Sequence, residues 1–303
     1  MLINIRYGLY KIILLKYKLS GDKMKLVLKN KYFEVYKEYI KSNDKKIKIL
    51  IVKPIKNKKD VKDTPGILWL HGGGYATGMA EMLYFTRAIS LVKKYGAVLV
   101  VPNYTLSIKK PYPYALYDCY NALLYLKNHA KDLSFNDSKI MVGGESAGGG
   151  LTVALCLYAR DKKEVNISFQ MPLYPMIDNR PTESNIDNHA KVWNTKRNIK
   201  AWNMYLKGVK YITKYAVPAL EKDYTNLPAC YTYVGDLEPF LSETITYIDN
   251  LKKANVEANI DIYKNWYHAY DLYFPYKKKS REAIKKFEKA YLEASIKYSA
   301  KQS

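Results

Sequence analysis

Cysteine is nearly missing from this chain, with three in 303 residues, Cys119, Cys156 and Cys230. They lie far apart, include no CxxC and have no metal-ligand spacing, so neither a disulfide framework nor a metal site is expected. Reduced thiols suit a reducing compartment, and a cytoplasmic location is expected. Long apolar runs are also missing. None approaches the roughly 20 residues that a membrane span needs. The opening stretch, MLINIRYGLYKIILLKYKLSG, is interrupted by Lys11, Lys16 and Lys18 and lacks a small-residue cleavage site, so it does not read as a signal peptide. Acidic residues are scarce, 28 against 50 Lys and Arg, a formal charge of +22. The lysines are scattered rather than clustered. Lys, Tyr, Ile and Asn, all residues with A/T-rich codons, are over-used together. A residue-usage bias explains this charge better than a polyanionic partner, so neither nucleic-acid binding nor membrane-surface contact is expected.

What is present is a hydrophobic share of 48%, enough to bury a sizeable core. Short apolar runs at 47–52, 66–70, 97–101, 139–144, 167–175, 230–235 and 258–263 read as strands. Helical patterns at 80–95, 115–130, 147–160 and 242–254 fall between them, and another closes the chain at 281–297. Such alternation implies an α/β fold, a mostly parallel central sheet with helices on both faces. Leu2, Ile5, Leu9 and Ile12 share one helical stripe, so residues 1–45 are expected to form N-terminal helices that join a lid. Residues 178–220 are long, polar and aromatic, and a loop of that length needs structure of its own. They read as an inserted helical lid, with core segments at 46–177 and 221–303. Trp193, Trp202 and Tyr205 are its candidate pocket-wall residues.

Glycine numbers only 15, yet five of them surround one serine in KIMVGGESAGGG, residues 139–150. Gly-rich turns can cradle phosphate, but no Lys follows as a P-loop requires, and G-x-G-x-x-G is absent. Gly144-Glu145-Ser146-Ala147-Gly148 instead matches G-x-S-x-G between a strand and a helix. There the glycines let the backbone turn sharply enough to present a serine nucleophile. A second cluster, His71-Gly72-Gly73-Gly74, follows the 66–70 strand. Acyl transfer builds a negative oxygen, and backbone N–H groups at glycines can approach it closely.

These motifs resemble the hormone-sensitive lipase-like family of α/β-hydrolase carboxylesterases over roughly residues 47–275. YTLSIKKPYPYALYD, residues 104–118, aligns with the family's middle segment through Tyr104, Leu106, Pro111, Pro113, Ala115 and Asp118. The resemblance implies an α/β-hydrolase fold with a helical lid, a small-molecule ester substrate with a short to medium acyl chain, and no cofactor or metal. It also implies Ser146 as nucleophile and an oxyanion hole of Gly73, Gly74 and Ala147. The sequence departs from the family with Ile108-Lys109 for Pro-Glu, Glu145 for Asp, and His268-Ala269-Tyr270 for His-Gly-Phe.

Only four histidines are available for a general base. His71 belongs to the glycine loop, His129 ends a helix and His189 lies in the lid segment. His268 alone satisfies the chain order Ser, acid, His. The acid must come from GDLEPFLSE, which offers Asp236 and Glu238. By the family register, set by Pro239 and Glu243, Glu238 takes the place. The expected activity is serine carboxylesterase, with a homodimer as the candidate assembly. Small-molecule amidase or deacetylase chemistry by the same triad is the alternative, followed by a non-catalytic hydrolase-fold binding protein.

Overall fold

A computed structural model describes residues 24–55 and 60–302. Nine strands form one sheet: β1 Lys25–Lys29, β2 Phe33–Ser42, β3 Lys45–Pro54, β4 Pro65–Leu70, β5 Val98–Pro102, β6 Asn136–Glu145, β7 Phe169–Leu173, β8 Ala229–Gly235 and β9 Ala258–Tyr263. Their spatial order is β1-β2-β3-β5-β4-β6-β7-β8-β9. β1, β2 and β3 pair antiparallel, and β3 joins β5 antiparallel. From β5 to β9 every pairing is parallel.

The helices are α1 Ala88–Tyr95, α2 Tyr114–Asn128, α3 Ala130–Leu133, α4 Ala147–Lys162, α5 Thr195–Tyr205, α6 Leu241–Lys253, α7 Tyr270–Tyr273 and α8 Lys278–Lys297. They cover both faces of the sheet. Ile49 and Ile51 of β3 join Leu68 and Leu70 of β4 in a core beneath α2 and α4. Their neighbours Leu50, Val52, Ile67 and Trp69 face the other way, against α1 and α8. The two-residue period of a strand thus splits one apolar run between two cores, which is why the central strands read as uninterrupted hydrophobic runs. Each such Leu, Ile or Val buried contributes about 1.5–3 kcal/mol.

Two expectations are corrected. Residues 25–29 and 33–42 are strands β1 and β2, not N-terminal helices. Phe33 and Val35 alternate with Glu34 and Tyr36, and Asn43-Asp44 closes a tight hairpin to β3, with Asn43 in the left-handed region at φ 52°. The apolar stripe at 2–12 lies outside the described residues. The helix expected over 80–95 is broken into a 3₁₀ turn, Ala80–Phe85, and α1. Thr86 between them is extended and its hydroxyl donates to the Leu83 carbonyl, a local bond that competes with the helix ladder.

Residues 178–220 carry α5 and a 3₁₀ turn, Pro218–Leu220. α5 packs on the loop after β4, with Tyr205 stacked on Tyr75 at 4.0 Å and Trp202 at 5.5 Å from the same ring. Among the described residues, no helix is long and apolar enough to cross a membrane. Cys119, Cys156 and Cys230 are free and buried.

The sheet order reverses at β4, since β5 lies on one side of it and β6 on the other. In open α/β sheets that switch point opens a crevice at the carboxyl ends of the strands. Leu70 is paired with Gly144, so the loop after β4 and the turn after β6 emerge side by side there. Gly235 and Tyr263 end β8 and β9 in register on the same edge.

Candidate active site

Ser146 is the single residue between β6 and α4, at φ 59° and ψ −121°. A non-glycine residue in such a conformation costs on the order of 1–3 kcal/mol and needs support from its surroundings. Three backbone hydrogen bonds supply it. The Ser146 N–H donates to Leu173 at 3.0 Å, and its carbonyl accepts from Gly150 at 2.9 Å and Met176 at 3.1 Å. A Cβ on Gly148 would lie 2.1 Å from the Leu70 carbonyl oxygen, and one on Gly144 would lie 2.6 Å from that of Gly148. The turn therefore closes tightly on the end of β4, which only glycine at both positions permits.

The His71–Gly74 loop lies against this turn. A Cβ on Gly72 would stand 3.3 Å from that of Ser146. Gly73 and Gly74 have φ of 119° and 59°, conformations costly for other residues. The Gly73 carbonyl accepts from the N–H groups of Ala76 and Thr77, which folds the loop back on itself. Among the described residues, the N–H groups of Gly73, Gly74 and Ala147 donate to no backbone carbonyl. Ala147 is the first residue of α4, where helix N–H groups are unpaired and the helix field favours negative charge. The His71 ring stacks on Tyr104 at 4.1 Å, and burial pushes its pKa down to about 4. It is thus a neutral packing element of the loop.

His268 Nε2 lies 2.9 Å from Ser146 Oγ, and His268 Nδ1 lies 2.6 Å from Glu238 Oε2. The three side chains come from loops after β6, β8 and β9, and all are buried. The other Glu238 oxygen accepts from the Gly235 N–H at 2.9 Å. Burial pushes the Glu238 carboxyl above its ordinary range, and the imidazole beside it pulls the other way. Asp236 does not meet the imidazole in this arrangement. Its carboxylate accepts from the Trp266 N–H at 3.3 Å. His129 contacts the Tyr125 carbonyl, and His189 sits exposed beside Asp187.

Behind the serine turn is a buried polar cluster that the sequence did not reveal. Arg87 Nε lies 3.1 Å from Asp271 Oδ2, and Arg87 Nη2 donates to the Asp271 carbonyl. Tyr233 donates to the same carboxylate at 2.8 Å. Asp271 opens out of the turn that carries His268, so this pair ties that turn to α1's leading edge. Glu145 accepts from the Trp69 indole at 2.9 Å, and burial pushes its pKa up to about 8, with Arg87 partly opposing. The only signals in the sequence were the Glu145 departure and an acid three residues after His268.

Glu145 gives a pH prediction. Its carboxyl is neutral when folded below about pH 8, whereas in the unfolded chain it ionises near an ordinary value of about 4.3. Between these values the unfolded state holds fewer protons, so stability falls as pH rises, by up to about 1.4 kcal/mol per unit. Glu145→Gln keeps an acceptor for Trp69 and removes the titration. Urea unfolding at pH 6 and pH 8 should show the variant losing about 2 kcal/mol less than the wild type over that interval. Parallel losses would mean that Glu145 is ionised in the folded protein.

A β-sheet crevice holding a serine on a strained turn, a histidine, a carboxylate and free backbone donors defines a hydrolase of the α/β class. A family model described as the alpha/beta hydrolase fold matches residues 67–272. The chain belongs to this family, among the hormone-sensitive lipase-like carboxylesterases. A protein of Acanthamoeba polyphaga mimivirus named as α/β hydrolase R526 is 29% identical over 141 residues, 46% of this chain and 39% of that one. An arylesterase of Saccharolobus solfataricus is 26% identical over 223 residues, 72% of this chain and 70% of its own length. The solved structure of a bacterial heroin esterase superposes with a TM-score of 0.76 at 30% identity, covering 83% of this chain and 82% of that one.

Proposed function

We propose that this chain is a cytoplasmic serine carboxylesterase acting on small esters of short to medium acyl chain. The observation that carries the reading is the hydrogen-bonded series Ser146, His268, Glu238 at 2.9 and 2.6 Å. The esterase names of its relatives support the reaction class. Ser146 Oγ attacks the ester carbonyl while His268 Nε2 takes the hydroxyl proton. The carbonyl oxygen becomes an oxyanion and receives the N–H groups of Gly73, Gly74 and Ala147, each such donor being worth about 2.7–4 kcal/mol in related sites. His268 then passes the proton to the departing alcohol oxygen as its bond to carbon breaks, leaving the acyl group on Ser146. Water, deprotonated by the same imidazole, adds to the acyl carbon and releases the acid and the serine. Glu238 holds Nδ1–H and stabilises the imidazolium formed in each half-reaction. Residues 178–220 act as a cover, supported by α5 on Tyr75 and by Trp193 against Gly74.

The test is a ladder of p-nitrophenyl esters from acetyl to lauroyl, run beside the matching p-nitroanilides. Ester hydrolysis should dominate at every length and kcat/KM should peak among the shorter chains. Anilides cleaved as fast as esters would move the assignment to an amidase, and a peak at the longest chain would move it to a lipase.

A further inference from the structure

Of the three aromatic wall candidates in the 178–220 segment, two are core. Trp202 and Tyr205 are buried against Tyr75. Trp193 is different: it is half-buried, and its ring reaches the groups around Ser146. A Cβ placed on Gly74 would lie 2.4 Å from Trp193 Cη2, so the indole edge rests on that glycine. The same ring is centred 6.0 Å from His268 and 6.4 Å from Phe240. It therefore spans from the glycine loop to the imidazole. The backbone is strained to place it there. Val192 has φ 71°, rare for a β-branched residue, and the Trp193 N–H turns back to the Lys191 carbonyl at 2.9 Å. The indole N–H is held by the buried Asn198 carboxamide oxygen at 3.3 Å.

The side of the substrate that meets this ring follows from the chemistry. His268 Nε2 must protonate the departing oxygen, so that oxygen lies within hydrogen-bond reach of the imidazole. The carbon skeleton attached to it must leave past the rings that surround His268. Tyr174 and Phe240, each 5.1 Å from the imidazole, are buried. Of these three rings beside His268, Trp193 alone is partly exposed. We infer that Trp193 is the docking face for the alcohol portion of the ester, and that it selects flat, aromatic alcohols over saturated ones of equal size. This rests on the esterase reading above.

Benzyl acetate and cyclohexylmethyl acetate provide the test, because they share the acyl group and nearly match in bulk and in leaving-group position. A planar ring can stack or meet the indole edge to face, whereas a saturated ring gains only area. Wild-type kcat/KM should favour the benzyl ester by about fivefold. Trp193→Leu should reduce that ratio to near one, Trp193→Phe should keep most of it, and neither should alter the acetate-to-butyrate preference of benzyl esters. Asn198→Ala, which frees the indole while keeping the ring, should lower the ratio partway; it decides the question if the Leu variant does not fold by circular dichroism. A wild-type ratio near one, a ratio unchanged in the Leu and Ala variants, or a shift in acyl preference instead would overturn the inference while leaving the esterase reading intact. Failure of the wild type to cleave any ester would fall on that reading, and this one would fall with it.

Discussion

Ser146→Ala is expected to lower kcat for ester hydrolysis by about 10⁶-fold with the fold intact, a loss comparable to removing a nucleophile that acts as one unit with its base. The reason lies in how the residue is held. All three hydrogen bonds that stabilise its strained turn use its backbone N–H and carbonyl, and Ala keeps both. Ala and Ser also pay the same steric cost at φ 59°. Only the hydroxyl that faces His268 Nε2 at 2.9 Å disappears. The residual rate should come from substrate binding and the backbone donors. Thermal unfolding should match the wild type within a few degrees. Turnover near the wild-type rate in a clean Ala preparation would remove Ser146 from the mechanism.

Glu238→Gln is expected to cost about 10⁴ in kcat with little change in KM, through the tautomer of His268. One Glu238 oxygen accepts from the Gly235 N–H and the other faces His268 Nδ1. In the Gln variant the amide oxygen must serve Gly235, because a backbone N–H cannot pair with an amide NH₂. The NH₂ then faces Nδ1 and makes that nitrogen an acceptor. The ring proton moves to Nε2, which can no longer take the proton of Ser146. Asp236→Asn should cost less than about tenfold, since an Asn oxygen can still accept from the Trp266 N–H. Steady-state kinetics on the two purified variants separates the cases. A greater kcat loss in the Asp236 variant would move the acid by two residues.

Much of this was legible from local pattern. Apolar runs marked seven of the nine strands, most clearly β4, β5, β7 and β8, which are buried on both faces and have no polar alternation to blur them. The glycine spacing around Ser146 marked the turn, because its geometry leaves no room for a Cβ on either side. β1 and β2 went unread. They are lysine-rich, only partly buried and adjacent to an apolar stripe of helical period, and Asn43-Asp44 was the one clear hairpin signal. The choice of Glu238 over Asp236 came from the family register set by Pro239 and Glu243 rather than from local pattern, since two carboxylates in one loop differ locally only in where the loop aims them.

The sequence by itself determined the class of fold, the serine turn, the glycine loop and the histidine that follows the last strand. These depend on residues close together in the chain, where periodicity and steric exclusion act directly. Tertiary structure alone decided the rest. The strand order β5-β4-β6 brings the two glycine motifs together at one crevice. The parallel register of β8 with β9 sets Glu238 within 2.6 Å of a histidine 30 positions away. The Arg87–Asp271 pair spans still more of the chain. Trp193, not Trp202 or Tyr205, reaches the imidazole because the strained turn at Val192 aims it there. Contacts of this kind form only when the assembled sheet fixes distances between distant segments, and the distances themselves are not set by residue spacing along an unfolded chain.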